Sequence, residues 1–275
     1  MKVRKRCLPP GWYPAGPDQV RREIEDMARG MTARPSTACA GIVPHAGWQF
    51  SGRVALEVLT VLCRGIDTMV IIGGHMGPAD RIVSAFEDAY ETPLGDLRAD
   101  TALRQRLAGA MELEEDRERD NTVEVHLPLV RFLTPGVLVL GLRAPPSPLS
   151  ESLGEAIADA AAALGRRVAV AGSTDLTHYG SNYGYAPAGR GEDALRWVRE
   201  VNDRRIIDRM LALDVAEALA RARRERSACS IGGAAAAMSF ARKSGAGSGT
   251  LVRYATSWDV VPGESFVGYA GILYP

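Results

Sequence analysis

The 275-residue sequence predicts an α/β fold of three layers (α/β/α), in which helices cover both faces of a mixed but mainly parallel central sheet. Short apolar runs rich in Val and Ile alternate with helix-length segments, which is typical of parallel strands joined by helices. Glycines and polar residues follow several of these runs, at the sheet edge where such folds bind ligands. Because the chain has no internal repeat and no long low-complexity tract, we expect residues 1–275 to form one domain.

The predicted strands and helices alternate along most of the chain. Apolar, β-branched runs predict strands at residues 38–43, 68–72, 137–142, 168–171, 250–256 and 265–273. Helical spacing of apolar residues predicts helices at residues 20–31, 51–62, 153–164, 192–224 and 231–242. Pro17 suits the first turn of the first helix, Ser51 is predicted to cap the second, and Gly65 to end it.

Composition excludes several classes of partner. Lys plus Arg and Asp plus Glu number 33 each, so the neutral balance gives no reason to expect nucleic acid or an anionic membrane. No apolar run is long enough to span a bilayer, and the basic start lacks the apolar stretch of a signal peptide, so we expect a cytoplasmic protein. The irregular spacing of the cysteines Cys7, Cys39, Cys63 and Cys229 does not predict a disulfide framework.

Three of the four histidines follow a short apolar run of β type. His45 lies in P-H-A-G-W, His75 closes I-I-G-G-H, and His178 closes S-T-D-L-T-H. Glycines beside His45 and His75 let the backbone bend close to a ligand. Each position alone also fits a histidine that satisfies a turn carbonyl, but neutral imidazole is the commonest metal ligand and a common general base. Together these histidines predict one polar pocket built from distant segments.

Two carboxylates lie close to histidines in the sequence. Asp175 either orients the His178 imidazole or caps the following turn. Glu124 and His126 are two residues apart, so their side chains share a face if this segment is extended, and a proline two residues later favours that conformation. The charged run before them, residues 112–120, is predicted to be a solvated loop. We predict both carboxylates and both histidines as members of the pocket. The alternative for Glu124 and His126 is that one of the two has a structural role.

Cys229 directly precedes a predicted helix, whereas Cys39 and Cys63 lie in apolar runs typical of core residues. A helix N-terminus lowers the pKa of a thiol and favours the thiolate, which binds metals or attacks carbon. A core position beside the alanines at residues 234–237 is an equally good interpretation. Residues 179–191, rich in glycine, are predicted to form a flexible flap.

Aromatic residues near these motifs have two interpretations. Trp48, Tyr179, Tyr183 and Tyr185 either form a wall for a planar ligand, which would make the substrate an aromatic small molecule, or pack a loop. The sequence alone leaves both interpretations open.

The motifs together resemble the Memo family, also called AmmeMemoRadiSam system protein B. The resemblance is carried by P-H-A-G-W-Q-F-S-G, I-I-G-G-H, D-N-T-V-E-V-H-L-P, S-T-D-L-T-H-Y-G, the Cys229 region and the closing F-V-G-Y-A-G, with G-W-Y-P near the N-terminus. This ordered set spans nearly the whole chain. The family is similar in fold to class III extradiol ring-cleavage dioxygenases, which are α/β proteins that use non-haem Fe(II), and its name implies a radical SAM partner.

The resemblance implies roles for particular residues. His45 and His75 correspond to two imidazole ligands of a metal, and Cys229 to a thiolate ligand where the dioxygenases have a carboxylate. Asp175 and His178 correspond to residues that line the same pocket. Glu124 and His126 match the end of the family's H-S-x-E motif. This chain departs from that motif, because Asn121 and Thr122 replace its histidine and serine, and from the family's glycine after the cysteine, where it has Ser230.

The resemblance therefore implies a metal-dependent oxidoreductase of dioxygenase type acting on a small molecule. Fe(II) is the expected metal, with Cu or Zn as alternatives because a thiolate is a softer ligand than a carboxylate. His178 is the predicted base, oriented by Asp175. Three other functions fit the same residues: a zinc hydrolase, a metal-free Cys–His hydrolase with Cys229 as nucleophile, and a non-catalytic adaptor for phosphorylated peptides. The chain has no dense arginine cluster beside the motifs that would favour the adaptor.

Overall fold

The structure is a computed structural model that describes residues 1–32 and 37–275. Its main sheet contains the long strands predicted from the sequence, together with several two-residue strands. In chain order the strands are β1 (Val3–Arg4), β2 (Ala40–Val43), β3 (Thr68–Gly73), β4 (Val83–Ser84), β5 (Ala89–Tyr90), β6 (Leu97–Arg98), β7 (Glu114–Glu115), β8 (Leu138–Arg143), β9 (Val168–Ser173), β10 (His178–Tyr179), β11 (Thr250–Thr256) and β12 (Phe266–Tyr274).

Helices connect most of these strands. In chain order they are α1 (Pro17–Ala28), α2 (Trp48–Leu62), α3 (Thr101–Ala108), α4 (Asn121–Glu124), α5 (Leu127–Leu133), α6 (Pro148–Ala163), α7 (Gly191–Trp197), α8 (Asp203–Leu211), α9 (Val215–Glu225) and α10 (Ile231–Lys243). Within the described residues, no helix is both long and apolar enough to cross a membrane. The cysteines Cys7, Cys39, Cys63 and Cys229 are all free thiols.

The main sheet is mixed, with a parallel centre. Its strand order is β10-β12-β2-β9-β3-β8-β4-β7, and β11 pairs with β12. Strands β2, β9, β3 and β8 run parallel to one another, whereas β12 is antiparallel to β2 and β4 is antiparallel to β8. The prediction of a mainly parallel mixed sheet is confirmed, and the carboxyl ends of β2, β9 and β3 lie side by side.

Helices pack on both faces of the sheet and form the outer layers. Successive residues of β3 alternate between the faces: Val70 and Ile72 pack in one buried cluster, Met69 and Ile71 in the other. The first cluster includes residues of α6 and α10, and the second includes residues of α1 and α2. The period-two alternation of the strands therefore explains the three-layer α/β/α fold.

Three local predictions need correction. Helix α2 begins at Trp48 with Gly47 at its N-cap, so Ser51 lies inside the helix. The helical region predicted at residues 192–224 is present, but it is divided, because Leu213 adopts a left-handed φ of 55° and Asp214 caps a new helix there. The segment around Glu124 is helical, not extended, because the proline after His126 fits the first turn of α5.

The fourth correction concerns the charged run at residues 112–120. Its carboxylates Asp116 and Asp120 are mostly buried and form ion pairs with Arg143, whose side chain is 6% exposed. Asp116 also pairs with Arg4 from the N-terminal segment. The segment is therefore solvated only in part: Glu112, Arg117 and Glu118 are exposed as predicted, whereas Asp116 and Asp120 are buried against cations from β8 and β1.

Asp203, the first residue of α8, is a fully buried carboxyl group. It accepts hydrogen bonds from the backbone N–H and the hydroxyl of Thr177 and, at 2.7 Å, from the Tyr254 hydroxyl. Burial nevertheless raises the pKa of Asp203 to about 7. The folded protein therefore holds this proton over a pH range in which the unfolded chain has already released it.

Replacing Asp203 with Asn should make this titration disappear from the stability curve. The contribution of the Asp203 proton to the free energy of unfolding is full below pH 3.8, the ordinary pKa of the carboxyl group. It is lost as the pH rises to about 7, the pKa in the folded protein. We expect the unfolding free energy of the native protein, minus that of Asp203→Asn, to fall across this interval by up to about 1.4 kcal/mol per pH unit. Urea unfolding at a series of pH values measures the difference, and a difference independent of pH would contradict the assignment.

Candidate metal centre

The carboxyl ends of three neighbouring strands bring the predicted pocket together. His45 lies two residues after β2, His75 two residues after β3, and Asp175 two residues after β9. Because β9 lies between β2 and β3, these loops meet at one edge of the sheet. Cys229 reaches the same edge from the segment that precedes α10. Topology thus unites residues that are far apart in the sequence.

His45, His75 and Cys229 form a cluster that can hold a metal ion. Their ligand atoms, one from each residue, all lie within 4.8 Å of one another. The Cys229 Sγ is 3.2 Å from the His45 Nε2. The two imidazole rings meet edge to face with their centroids 5.0 Å apart. Two nitrogen donors and one sulfur donor therefore converge, as the motifs implied.

His45 is held in place from two sides. Its backbone N–H donates to the Asp175 carboxylate at 2.7 Å, and its Nδ1 lies 3.0 Å from the Ser173 hydroxyl. Burial lowers the pKa of His45 to about 3, helped by the nearby His75. The ring is therefore neutral at physiological pH, and with Nδ1 engaged its Nε2 is the atom that faces Cys229.

His75 is held by Asp120. The Nδ1 of His75 lies 3.3 Å from the Asp120 carboxylate, and its backbone N–H points to the same oxygen at 3.5 Å. Burial acts to raise the pKa of Asp120, but hydrogen bonds from His75 and Thr122 outweigh it and hold the pKa below its usual range. Gly74 adopts a φ of 112° just before His75, which confirms the predicted need for glycine in this turn.

Cys229 is placed by hydrogen bonds around the start of α10. Its backbone N–H donates to the Asp175 carbonyl at 3.2 Å, and the next N–H, of Ser230, donates to the Thr174 hydroxyl at 3.1 Å. Desolvation and the Asp175 carboxylate raise the pKa of the Cys229 thiol above its ordinary value. Of the two interpretations of Cys229, the lowered thiol pKa is wrong for the protein alone, because desolvation and the Asp175 carboxylate outweigh the hydrogen bonds that act to lower the pKa.

Asp175 and His178 line the cleft beside this cluster. Burial raises the pKa of Asp175 to about 6, while nearby His178 and the His45 N–H act in the opposite direction. The His178 Nδ1 lies 3.1 Å from the Leu176 carbonyl, which can only accept, so Nδ1 carries the proton and Nε2 has the free lone pair. The orienting contact that the sequence assigned to Asp175 is made by the Leu176 carbonyl, and Asp175 instead fixes the backbone of His45.

The helical turn at residues 121–126 separates Glu124 from His126. The Glu124 carboxylate accepts hydrogen bonds from the backbone N–H groups of Cys7 and Leu8 and from the Tyr13 hydroxyl at 2.7 Å. It thus anchors the N-terminal segment. His126 is 1% exposed, and its Nε2 lies 3.0 Å from the Ser173 hydroxyl. Its connection to the ligand cluster therefore runs through Ser173, which contacts His45.

A cleft of about 470 Å³ opens onto the centre. Its lining includes aromatic and aliphatic side chains opposite the histidines, namely Trp12, Phe50, Tyr183, Val261, Val267 and Tyr269. Of the predicted aromatic wall, only Tyr183 lies there, in edge-to-face contact with His178. Trp48 and Tyr179 are buried in the core, and Tyr185 packs against Tyr179, so for these three the alternative interpretation, loop and core packing, is correct.

The residues that orient the two histidines were not found in the sequence. Asp120 lies at the end of the run predicted to be solvated, and Ser173 follows the strand predicted at residues 168–171. A signal existed for Asp120, because aspartate is among the preferred helix N-cap residues, and its side chain accepts from the backbone N–H of Thr122. Asn121, which replaces the family's histidine, donates to the His45 carbonyl at 3.0 Å and lines the cleft.

Known proteins are similar to this chain over nearly its whole length. The model of the Memo-like protein family matches residues 4–273 of the chain. A MEMO1 family protein of Pyrococcus abyssi is 32% identical over 291 residues, which cover 98% of this chain and 99% of the relative. MEMO1 family proteins of Thermococcus onnurineus and Thermococcus kodakarensis are 30% and 32% identical, each with 99% of both chains covered. With a family model over nearly its whole length and full-length relatives at this identity, the chain belongs to the Memo family.

Proposed function

We propose that the protein is a metal-dependent oxidoreductase of dioxygenase type that acts on a small molecule. The observation that carries the proposal is the way in which both histidines are held. The Nδ1 of His45 is engaged by Ser173 and that of His75 by Asp120, so that Nε2 of each ring remains for a ligand beside the Cys229 sulfur. Metal-binding histidines almost always have their second ring nitrogen bonded in this way.

The donor set fits a divalent transition metal. His45 is neutral, as a ligand must be, and a cation beside Cys229 would offset the effects that keep its thiol protonated. We propose Fe(II), with copper or zinc as the alternatives that a thiolate ligand favours. Iron(II) with such a three-residue set supplies open coordination positions for a substrate and dioxygen.

The protein's own residues supply the proton chemistry. His178 has its Nδ1 proton directed to the Leu176 carbonyl, so its Nε2 can accept a proton from a hydroxyl group of the substrate. Asp175, in the same cleft, accepts from the backbone of His45 and thereby keeps that ring in place. Asn121 can donate a hydrogen bond but cannot act as a base, so we propose His178 as the base of this site.

The lining of the cleft supports a neutral substrate. Among the described residues that line it there is no Lys or Arg, and its carboxylate, Asp175, is negative. Arg190 and Arg199, from neighbouring segments, are paired with Glu264 and Asp259. A phosphorylated peptide needs cationic partners, so this composition weighs against the adaptor function.

The metal-free thiol hydrolase also receives less support. Such an enzyme needs a thiolate and a histidine able to hold its proton. Here the pKa of the Cys229 thiol is raised, so the thiol stays protonated, and the imidazole that contacts its sulfur is that of His45 and not that of His178, the base predicted for this hydrolase. A zinc hydrolase would use the same ligands as the proposed oxidoreductase. The experiment below distinguishes the two by their need for oxygen.

The experiment is oxygen uptake by protein loaded anaerobically with iron, copper or zinc, using the neutral probe catechol. We expect uptake with the iron form and a loss of about 10²- to 10⁴-fold in His178→Ala, because the base is removed. The anionic analogue 3,4-dihydroxybenzoate should be a poorer substrate. Ester hydrolysis by the zinc form without any need for oxygen would instead favour the hydrolase, and equal uptake by His178→Ala would contradict the assigned base.

A further inference from the structure

His45, Ser173 and His126 form a continuous hydrogen-bonded chain behind the metal centre. The Ser173 hydroxyl lies 3.0 Å from the His45 Nδ1 and 3.0 Å from the His126 Nε2. All three side chains are buried, with residue exposures of 1%, 0% and 1%. His126 is absent from the lining of the cleft, so it does not touch a ligand bound there.

The single proton of the serine hydroxyl gives this chain a direction. When the His45 Nε2 offers its lone pair to a cation, Nδ1 carries the proton and donates it to Ser173. Ser173 must then donate its own proton to the remaining neighbour, the His126 Nε2. The reverse direction places the His45 proton on Nε2 and blocks metal binding. An acceptor at His126 therefore favours the direction that metal binding requires.

The rest of the His126 side chain points to the same role. Within the described residues its Nδ1 has no hydrogen-bond partner, so Ser173 is the polar contact of this buried ring. A buried polar atom without a partner costs free energy, which a residue kept only for packing would avoid. A contribution to the stability of the fold therefore does not account for the His126 imidazole. The acceptor that its Nε2 offers to the Ser173 hydroxyl does account for it.

We propose that His126 is a positioning residue that acts through Ser173 to hold His45 in the tautomer that binds the metal. The proposal rests on the metal centre proposed above. It replaces direct participation of His126 in catalysis, which the sequence suggested, with an action through one intermediate hydroxyl.

The first test measures Co(II) affinity by competition with a chelator. Loss of an outer hydrogen-bond partner of a ligand weakens metal binding about 10- to 100-fold. We expect this loss in Ser173→Ala and in His126→Leu, and no further loss in the double variant, because both changes break one chain. His126→Gln should bind nearly as well as the native protein, since its amide oxygen can accept from Ser173. Additive losses, or equal weakening in His126→Gln, would overturn the proposal.

A matched control and a second readout separate positioning from folding. Ser239 is an equally buried serine that donates to the Glu151 carbonyl between α6 and α10, so Ser239→Ala should leave Co(II) affinity unchanged. The ¹⁵N shifts of the metal-free protein report the tautomer of His45 directly. We expect the Nδ1–H form in the native protein and a mixture in His126→Leu. If the native protein bound no Co(II), the proposed function would fail, whereas an unchanged tautomer in His126→Leu would overturn the positioning role.

Discussion

Replacing either His45 or Cys229 with alanine is expected to remove stoichiometric metal from a protein that stays folded. The His45 Nε2 and the Cys229 Sγ lie 3.2 Å apart and are two of the three donor atoms. Each variant therefore lacks one donor of the set that could surround an ion. We expect affinity to fall by more than about 100-fold, because the loss of an outer hydrogen-bond partner alone costs about 10- to 100-fold.

The measurement is elemental analysis after purification without oxygen and loading with iron, copper or zinc. Cys39→Ala is the matched control, since this partly buried thiol lies near the Tyr274 carbonyl, on a different part of the sheet from the cluster. Circular dichroism shows whether each variant is folded. Unchanged metal content in folded His45→Ala and Cys229→Ala would rule out the proposed centre, whereas loss in the control as well would indicate non-specific binding.

Replacing Gly233 with alanine is expected to destabilise the fold and disturb the metal centre together. A Cβ atom at Gly233 would lie 2.2 Å from the Ile72 carbonyl oxygen and 2.9 Å from the Gly73 Cα. These contacts are with the backbone of β3, which cannot turn aside as a side chain can. Overpacking of this kind costs about 1–3 kcal/mol, and we expect a value of about 3 kcal/mol here.

The same change should weaken metal binding, because α10 follows Cys229 and β3 precedes His75. Pushing the helix from the strand separates two of the donors. Gly136→Ala is the control, since a Cβ atom there would have no neighbour within 4 Å. Urea unfolding and Co(II) titration of both variants test the expectation. Equal stability of Gly233→Ala and the native protein would mean that α10 is free to move away from the sheet.

The strands and the convergence of the main ligands could be predicted from the sequence because both depend on local patterns. Runs of β-branched residues mark β3 and β9, and polar residues directly after such runs lie at one edge of a parallel sheet. His45, His75 and Asp175 share this property. Cys229 does not, and its place in the cluster depended on the family resemblance.

The remaining parts of the site depend on contacts that no local pattern encodes. Glu124 and His126 are two residues apart, but a helical turn directs one to the N-terminal segment and the other to Ser173. Asp120 is surrounded in the sequence by charged residues, and only the packing of Arg143 and His75 against it distinguishes it from them. Similarly, the aromatic residues of the cleft come from α2, β12 and the loops, so their common wall appears only after folding.

The three donors differ in their access to solvent: His45 is buried, Cys229 is partly exposed and the His75 side chain is 44% exposed. For an ion that entered from the cleft, His75 would therefore be the first donor within reach, and the deeper pair would complete the set. Asp120, which holds the His75 ring, would then act on the outermost donor, so variants of that contact should alter the rate at which metal exchanges with a chelator.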